Sequence, residues 1–247
     1  MDEGMLRARL WEGFARLQVL LGGHAGPGRV IERDGLVASV VPAARDSPTL
    51  NAAVAIDPDA GPRHLAELRT SYDEAGIRRW GVWLDGGAAE AANELVKAGM
   101  LVSASSPGMG ATLDGAIEGI EPQSADLATV GRVNDLAYGN LDNRLERTLT
   151  PLPNGVLKGY CADHDGRPAA VALALHHNDD CGISFVATVP EARRRGLATE
   201  VMRQALRDAR DKGCTTTTLQ ATDLGERLYA NLGYRRLCAM QLWELRR

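Results

Sequence analysis

The chain has 247 residues, carries a formal net charge of −4 and is 45% hydrophobic. Its length indicates two domains, because a single hydrophobic core rarely serves so many residues. A mildly acidic protein has no general attraction to nucleic acids or anionic lipids, and no apolar run approaches the length of a membrane span. We therefore expect a globular protein that has neither nucleic acid nor membrane as a partner.

The cysteines lie in the C-terminal half without the spacing typical of metal ligands: Cys161, Cys181, Cys214 and Cys238. We interpret them as buried free thiols, which favour a reducing compartment. The N-terminus carries acidic residues where a signal peptide needs basic ones. The sequence therefore predicts a cytoplasmic protein without a metal site.

The first half of the chain alternates between helical and strand-like patterns. Apolar residues recur at helical spacing from Leu6 to Leu21, which predicts an amphipathic helix. Further helices are predicted between Pro62 and Gly76 and over 88–98. Strands are predicted over 36–41, 52–56, 80–84, 100–103 and 109–113. Closely spaced glycines over 114–120 indicate a linker to the second half.

The second half is predicted to begin with a helix over 127–136 and a polar segment over 140–153. Turn residues separate the next three apolar runs, which predicts an antiparallel meander with strands over 156–162, 169–175 and 183–189. The pattern then predicts a helix from 197 to 209, a strand over 215–221, a helix over 226–232 and a strand over 237–245. The first half has a similar but shorter order, which suggests two copies of one α/β fold.

The joint between the third meander strand and the next helix has the sequence Arg193-Arg194-Arg195-Gly196-Leu197-Ala198. The first N–H groups of a helix lack partners inside it, and the helix dipole adds positive potential, so a helix start can bind an anion. Small residues at Gly196 and Ala198 would let a diphosphate approach the backbone. Taken alone, the arginines could equally be a solvated charged run. Nucleic-acid binding would need aromatic stacking residues beside them.

This joint resembles the signature Gln/Arg-x-x-Gly-x-Gly/Ala of the GNAT acetyltransferases. A second segment, from Thr222 to Tyr234, resembles their Asn-x-x-Ala-x-x-Leu-Tyr-x-x-x-Gly-Phe and departs from it at Thr222, Gly225 and Tyr234. The chain is also similar to tandem GNAT proteins with a degenerate N-terminal half. The resemblance implies two GNAT-like α/β domains over residues 1–117 and 118–247, each with a mixed, mostly antiparallel sheet flanked by helices. Only the second would carry a cofactor site.

The resemblance also implies which residues form the site. Acetyl-CoA would be held by the end of the third meander strand and by the joint, that is by Val186, Ala187, Thr188, Arg193, Arg194, Arg195, Gly196, Leu197, Ala198 and Thr199. Tyr229 would protonate the leaving thiolate. Tyr138 and Asp142 fall on the segment that would face the acceptor, and either of them, or water, could take the proton from the amine.

The implied function is that of an acyl-CoA-dependent N-acyltransferase, in which an amine attacks the thioester directly within a ternary complex. Positioning and one proton transfer provide most of the catalysis in such a reaction. The expected acceptor is a small-molecule amine, and a homodimer is an open option. Two alternatives remain, namely an acyl-CoA-binding sensor or scaffold without activity and a protein lysine acetyltransferase. The N-terminal half would close one side of the acceptor pocket or form an oligomer contact.

Overall fold

A computed structural model describes residues 2–24, 26–114, 123–153 and 155–245. The first half contains, in chain order, α1 (Glu3–His24), β1 (Arg29–Arg33), β2 (Leu36–Val40), β3 (Ala52–Ala55), α2 (Ala60–Arg63), α3 (Leu65–Glu74), β4 (Gly81–Asp85), α4 (Ala89–Lys97) and β5 (Met100–Thr112). The second half contains β6 (Ser124–Ala125), α5 (Leu127–Tyr138), α6 (Arg144–Leu149), β7 (Leu157–His164), β8 (Arg167–His177), β9 (Asp180–Thr188), α7 (Leu197–Asp211), β10 (Thr216–Gln220), α8 (Asp223–Asn231) and β11 (Arg235–Leu245).

The strands form one mixed sheet of 11 strands in the order β1-β2-β3-β4-β11-β5-β10-β9-β8-β7-β6. The last strand of each half pairs with a strand of the other half, because β11 lies against β4 and β5 lies against β10. These two exchanged strands also pair with each other at the centre of the sheet. The mixed α/β architecture matches the prediction, but the two halves share one sheet where a separate sheet was expected for each. The predicted domain boundary, between residues 117 and 118, lies outside the described residues.

Alternation along the strands places apolar side chains on both faces of the sheet. On β8, Val171 and Leu173 join the cluster that α5 covers, while Ala170 and Ala172 join the cluster that α7 covers. This period of two is the expected consequence of strand geometry. The predicted meander of β7, β8 and β9 is antiparallel throughout, as its turns indicated.

β5 is one strand of 13 residues, where the sequence predicted two short ones on either side of Pro107 and Gly108. The continuous strand is stabilised by β11, which pairs with it from Met100 to Gly110. Pro107 lies where β10 ends, and its carbonyl accepts a hydrogen bond from the Ala221 N–H at 2.8 Å. The N–H that proline lacks therefore falls at the end of the pairing with β10, and its absence costs the sheet few hydrogen bonds. Pairing with a strand of the other half therefore joins the two predicted strands into one.

Helix α1 crosses the sheet and connects the two halves. The guanidinium of Arg7 donates to the buried carboxylate of Asp85 on β4 at 2.9 Å. Two residues later, Arg9 donates to the hydroxyl of Thr216 on β10 at 2.6 Å. The predicted amphipathic helix is thus confirmed, and its polar anchors hold both halves in one arrangement.

Asp208 on α7 anchors that helix to β7 through hydrogen bonds from Lys158 and Tyr160. Burial would raise the pKa of Asp208, but the hydrogen bonds from Lys158, Tyr160 and Lys212 outweigh it and lower the pKa to about 2. Because the pKa of Asp208 is lower in the folded state than in the unfolded state, its ionised carboxylate stabilises the protein above about pH 4. This contribution disappears as the pH falls toward 2.

We expect Asp208→Asn to lower the free energy of unfolding at pH 7 by about 2 kcal/mol, because a shift of one pKa unit corresponds to about 1.4 kcal/mol. Urea denaturation measures this loss, which should shrink between pH 4 and pH 2. Asp211→Asn, at the exposed end of the same helix, serves as the control and should change stability by less than about 0.5 kcal/mol. Equal losses for both variants would contradict the anchoring role of Asp208.

Candidate functional site

The sheet opens between two parallel strands of the second half. β9 and β10 are paired from Asp180 to Ile183, after which β9 continues along β8 and β10 ends at Gln220. The pairing of β9 with β8 shifts register around Phe185, whose φ of 52° is left-handed. Gaps at the carboxyl ends of parallel strands are common ligand sites. Two cavities lie in this gap.

We call the first the loop cavity. It has a volume of about 440 Å³ and lies between the end of β9, the start of α7 and α8. The predicted site residues that line it are Tyr138, Val186, Ala187, Thr188, Arg193, Arg194, Gly196, Leu197, Ala198, Thr199 and Tyr229. Arg195 and Asp142 are the predicted site residues that do not line it.

The loop before α7 leaves the start of that helix open. Arg194 and Gly196 both have left-handed φ angles, of 59° and 82°. Gly196 caps the helix without a side chain, and the first helical hydrogen bond runs from the Glu200 N–H to the Gly196 carbonyl at 3.0 Å. The N–H groups of 197–199 therefore lie at the positive end of the helix dipole without partners inside the helix, an arrangement that can bind an anion.

The three neighbouring arginines differ in their roles. Arg193 donates from Nε to the Thr188 carbonyl at 3.1 Å and from Nη2 to the Ala137 carbonyl at 2.8 Å. It thereby joins the end of β9 to the end of α5 and shapes the wall of the loop cavity. Arg194 lines the cavity, and Arg195 lies outside it.

Tyr229 is positioned by helix α8 and by its capping residue. The side chain of Thr222 accepts a hydrogen bond from the Gly225 N–H at 3.2 Å, as an N-cap should. The Tyr229 ring is buried and contacts Tyr234 edge-on, with ring centroids 5.9 Å apart. Burial, with a smaller contribution from Tyr138, raises the pKa of Tyr229 above its usual value. The phenol therefore stays protonated at neutral pH and remains a hydrogen-bond donor.

Gly225 replaces the alanine of the motif for a steric reason. A Cβ atom at this position would lie 2.9 Å from Cε2 of Tyr229 and 3.3 Å from Oγ1 of Thr222. The glycine thus gives the Tyr229 ring the space in which it lies.

We call the second cavity the interface cavity, because both halves line it. It has a volume of about 550 Å³, and the first half contributes 46–50 and Arg79. It shares four wall residues with the loop cavity, namely Tyr138, Val186, Thr222 and Tyr229. The two cavities therefore meet at Tyr229. The role of 46–50 in this wall was not predictable from the sequence, since the segment has no chemical motif.

The charged side chains of the interface cavity are paired with neighbours. Asp46 bonds with Arg78, which lowers the pKa of that carboxyl group. Arg79 bonds with Glu244 at 3.1 Å and Arg144 with Asp142 at 3.1 Å. The cavity is thus polar, but its charges are largely neutralised.

The model of the acetyltransferase (GNAT) family matches residues 134–234, a stretch that includes β9, the loop before α7 and Tyr229. This stretch is GNAT-like. No curated protein matches the sequence significantly.

Solved structures resemble the whole chain. A GCN5-related N-acetyltransferase from Kribbella flavida has a TM-score of 0.69 at 21% identity, with 96% of this chain and 94% of that chain covered. A GCN5-related N-acetyltransferase from Sphaerobacter thermophilus has a TM-score of 0.57 at 14% identity, with 85% and 80% covered. A functionally unknown conserved protein from Staphylococcus epidermidis has a TM-score of 0.58 at 10% identity, with 87% and 92% covered. The overall fold is therefore GNAT-like as well.

Asp142 lies away from the centre of this GNAT-like site. It is about half exposed, receives a hydrogen bond from Arg144 Nε at 3.1 Å and lines a separate polar cavity with Arg78 and Arg147. Its position gives no support to a role as general base. Tyr138, by contrast, lines both the loop cavity and the interface cavity.

Within the described part of the chain, no three His, Cys, Asp or Glu side chains come together as a metal site. None of the described helices is long and apolar enough to cross a membrane.

Proposed function

We propose that the protein is an N-acetyltransferase that transfers the acetyl group of acetyl-CoA to the amine of a small molecule. The observation that carries this proposal is the meeting of two cavities at Tyr229, one with an open helix start and the other with a polar wall from both halves. A cofactor and an acceptor bound in these cavities would approach each other beside the Tyr229 phenol.

The loop cavity fits the cofactor in charge and shape. The N–H groups of 197–199 and the guanidinium of Arg194 would hold the diphosphate oxygens. A Cβ atom added at Gly196 would meet nothing within 4 Å, so the loop has room for phosphate close to the backbone. The end of β9, from Val186 to Thr188, would hold the pantetheine arm. Acetyl-CoA would supply the acyl group as an activated thioester.

The reaction forms one N–C bond and breaks one C–S bond. The amine nitrogen loses a proton, and the departing sulfur gains one, so the protons balance without an enzyme nucleophile. Tyr229 would donate its proton, or a strong hydrogen bond, to the sulfur. A thiol has a pKa of about 8.5 and an ordinary tyrosine about 10, and the pKa of Tyr229 is raised further. Full proton transfer from Tyr229 is therefore uphill, and the proton that the amine loses, carried by water, would replace the one that Tyr229 donates.

The interface cavity favours a small acceptor over a lysine in a protein. Its wall includes 46–50 and Arg79 of the first half, which enclose the side of the site that a protein substrate would have to approach. This supports the hypothesis that the first half closes the acceptor pocket. The cysteines are free thiols, which supports activity in a reducing compartment, and we propose the cytoplasm.

Calorimetry with acetyl-CoA, followed by CoA release with small primary amines and with lysine peptides, tests the proposal on the intact chain. We expect acetyl-CoA binding and release of CoA with at least one small amine. Binding without turnover on any amine would favour a sensor, and faster turnover on peptides would favour a protein acetyltransferase. No binding at millimolar acetyl-CoA would refute the proposed function.

Gly225→Ala is expected to lower kcat by about tenfold or more, because a misplacement of about 1 Å can cost 100-fold in rate. The added methyl group would push the Tyr229 ring away from its place. Steady-state CoA release measures the loss, while acetyl-CoA affinity should stay within threefold. Ala230→Gly, a change of similar size on the same helix, controls for helix stability; an equal loss of kcat there would contradict the steric explanation.

A further inference from the structure

A third cavity lies between helix α1 and the sheet, and we call it the α1 cavity. Its volume is about 120 Å³, and its walls are mainly apolar, including Leu10, Phe14 and Leu17 of α1. It shares a wall with the interface cavity, formed by Thr49, Ile183, Ser184, Phe185, Leu219 and Gln220. The α1 cavity therefore adjoins the interface cavity on the side where α1 of the first half covers the sheet.

Gly13 keeps the α1 cavity open. A glycine inside a helix costs about 1 kcal/mol relative to alanine, and Gly13 is buried in the middle of 22 helical residues. A Cβ atom at Gly13 would meet nothing within 4 Å, and its φ is not left-handed. At Gly22 of the same helix, by contrast, a Cβ would lie 2.5 Å from the Arg29 carbonyl oxygen. Crowding therefore explains why residue 22 is a glycine. It does not explain the glycine at residue 13, where the absence of a side chain leaves open space in the α1 cavity.

Two residues that line the α1 cavity carry hydrogen-bond donors without partners in the described part of the chain. Nε2 of Gln220 and Nε1 of Trp83 are buried and have no hydrogen-bond partner among the described residues. Both residues line the cavity, and Gln220 also lines the interface cavity. Buried donors without partners are rare in native proteins and call for an explanation. An oxygen atom of a ligand in the cavity would be a suitable acceptor for such a donor.

The charges of the adjoining interface cavity limit the ligand further. Its carboxylate, Asp46, is already paired with Arg78, and its two other charged side chains are the arginines Arg79 and Arg144. The described wall therefore offers no unpaired carboxylate for a second ammonium group. This favours an acceptor with one amine over a polyamine.

We infer that the acceptor is a small primary amine whose far end is a compact apolar group carrying a hydrogen-bond-accepting oxygen. An apolar cavity of about 150 Å³ holds a benzene molecule, so the α1 cavity suits a branched alkyl chain or a single ring. The amine would lie beside Tyr229, and the apolar end would lie between α1 and Gln220. This inference rests on the proposed function for the role of the amine.

The test compares Gly13→Leu, which fills the α1 cavity, with Gly13→Ala, which removes the glycine but leaves most of the space. Calorimetry measures the binding of 4-methoxyphenethylamine and of propylamine to the intact chain with coenzyme A present. We expect Gly13→Leu to weaken the binding of 4-methoxyphenethylamine, the ring amine, by about 10- to 100-fold, because the free energy of burying one apolar group of this size is lost. The binding of propylamine should weaken by less than twofold. Gly13→Ala should bind both amines as the original chain does.

Thermal unfolding separates a filled cavity from a damaged fold. Both variants should melt at or above the temperature of the original chain, because each replaces a helical glycine. Gln220→Leu should weaken the binding of 4-methoxyphenethylamine more than that of phenethylamine, since only the former has an ether oxygen that the Gln220 amide can bind. Unchanged affinity for the ring amine in Gly13→Leu, or no binding of ring amines at all, would overturn the inference.

The outcomes also distinguish this inference from the proposed function. If acetyl-CoA binds and CoA release is fastest with spermidine or a lysine peptide, the acetyltransferase proposal survives and the inferred acceptor class is wrong. If the ring amine binds in a manner that depends on Gly13 but acetyl-CoA does not bind, the α1 cavity is a ligand site and the acetyltransferase proposal fails.

Discussion

Gly196→Glu is expected to weaken acetyl-CoA binding by at least about 100-fold. The carboxylate would lie at the start of α7, where it can accept hydrogen bonds from the same N–H groups that would hold the diphosphate. It would also repel the phosphates, and a residue other than glycine at a φ of 82° adds backbone strain of about 1–3 kcal/mol. Calorimetry on the intact chain measures the loss.

Two variants separate charge from strain. Gly196→Ala introduces the backbone strain without the carboxylate, and we expect affinity to fall by less than about tenfold. Gly213→Glu places a glutamate on another left-handed glycine, with a φ of 88°, just beyond the other end of α7. Affinity should be unchanged there. If Gly196→Glu bound acetyl-CoA within threefold of the original chain, the diphosphate would have to lie elsewhere.

Tyr229→Phe is expected to lower kcat by about 10²–10⁴-fold, the usual contribution of a general acid or base. The phenylalanine keeps the packing against Tyr234 but loses the hydroxyl that would stabilise the departing sulfur. Acetyl-CoA affinity should change little, because the proposed diphosphate site lies at the start of α7. Pre-steady-state and steady-state measurements of CoA release give the rate, and a change below threefold would remove Tyr229 from this role.

Tyr234→Phe is the matched control for Tyr229→Phe. Tyr234 is equally buried, and its hydroxyl shares a hydrogen bond of 2.7 Å with Thr217 inside the sheet. Removal of that hydroxyl should cost about 1 kcal/mol of stability. It should leave kcat within about threefold, since Tyr234 lines neither the loop cavity nor the interface cavity. Similar rate losses for both variants would indicate damaged packing instead of lost proton donation.

The sequence alone determined the elements that depend on neighbouring residues. The period of two with intervening turn residues predicted β7, β8 and β9, and the helical period predicted α7. The helix start at Gly196 was also visible, because a small glycine directly before a helical stripe is a local signal. The structure places that start and Tyr229 in one cavity.

The tertiary structure decided which distant segments meet. β5 and β11 exchange partners between the halves, and this pairing makes one strand out of the two predicted over 100–103 and 109–113. The same arrangement brings 46–50 and α1 to the site and leaves Asp142 outside it. Caps, turns and hydrophobic periods are encoded in residues a few positions apart. Strand partners and cavity walls depend instead on packing between residues far apart in the chain, which no local pattern records.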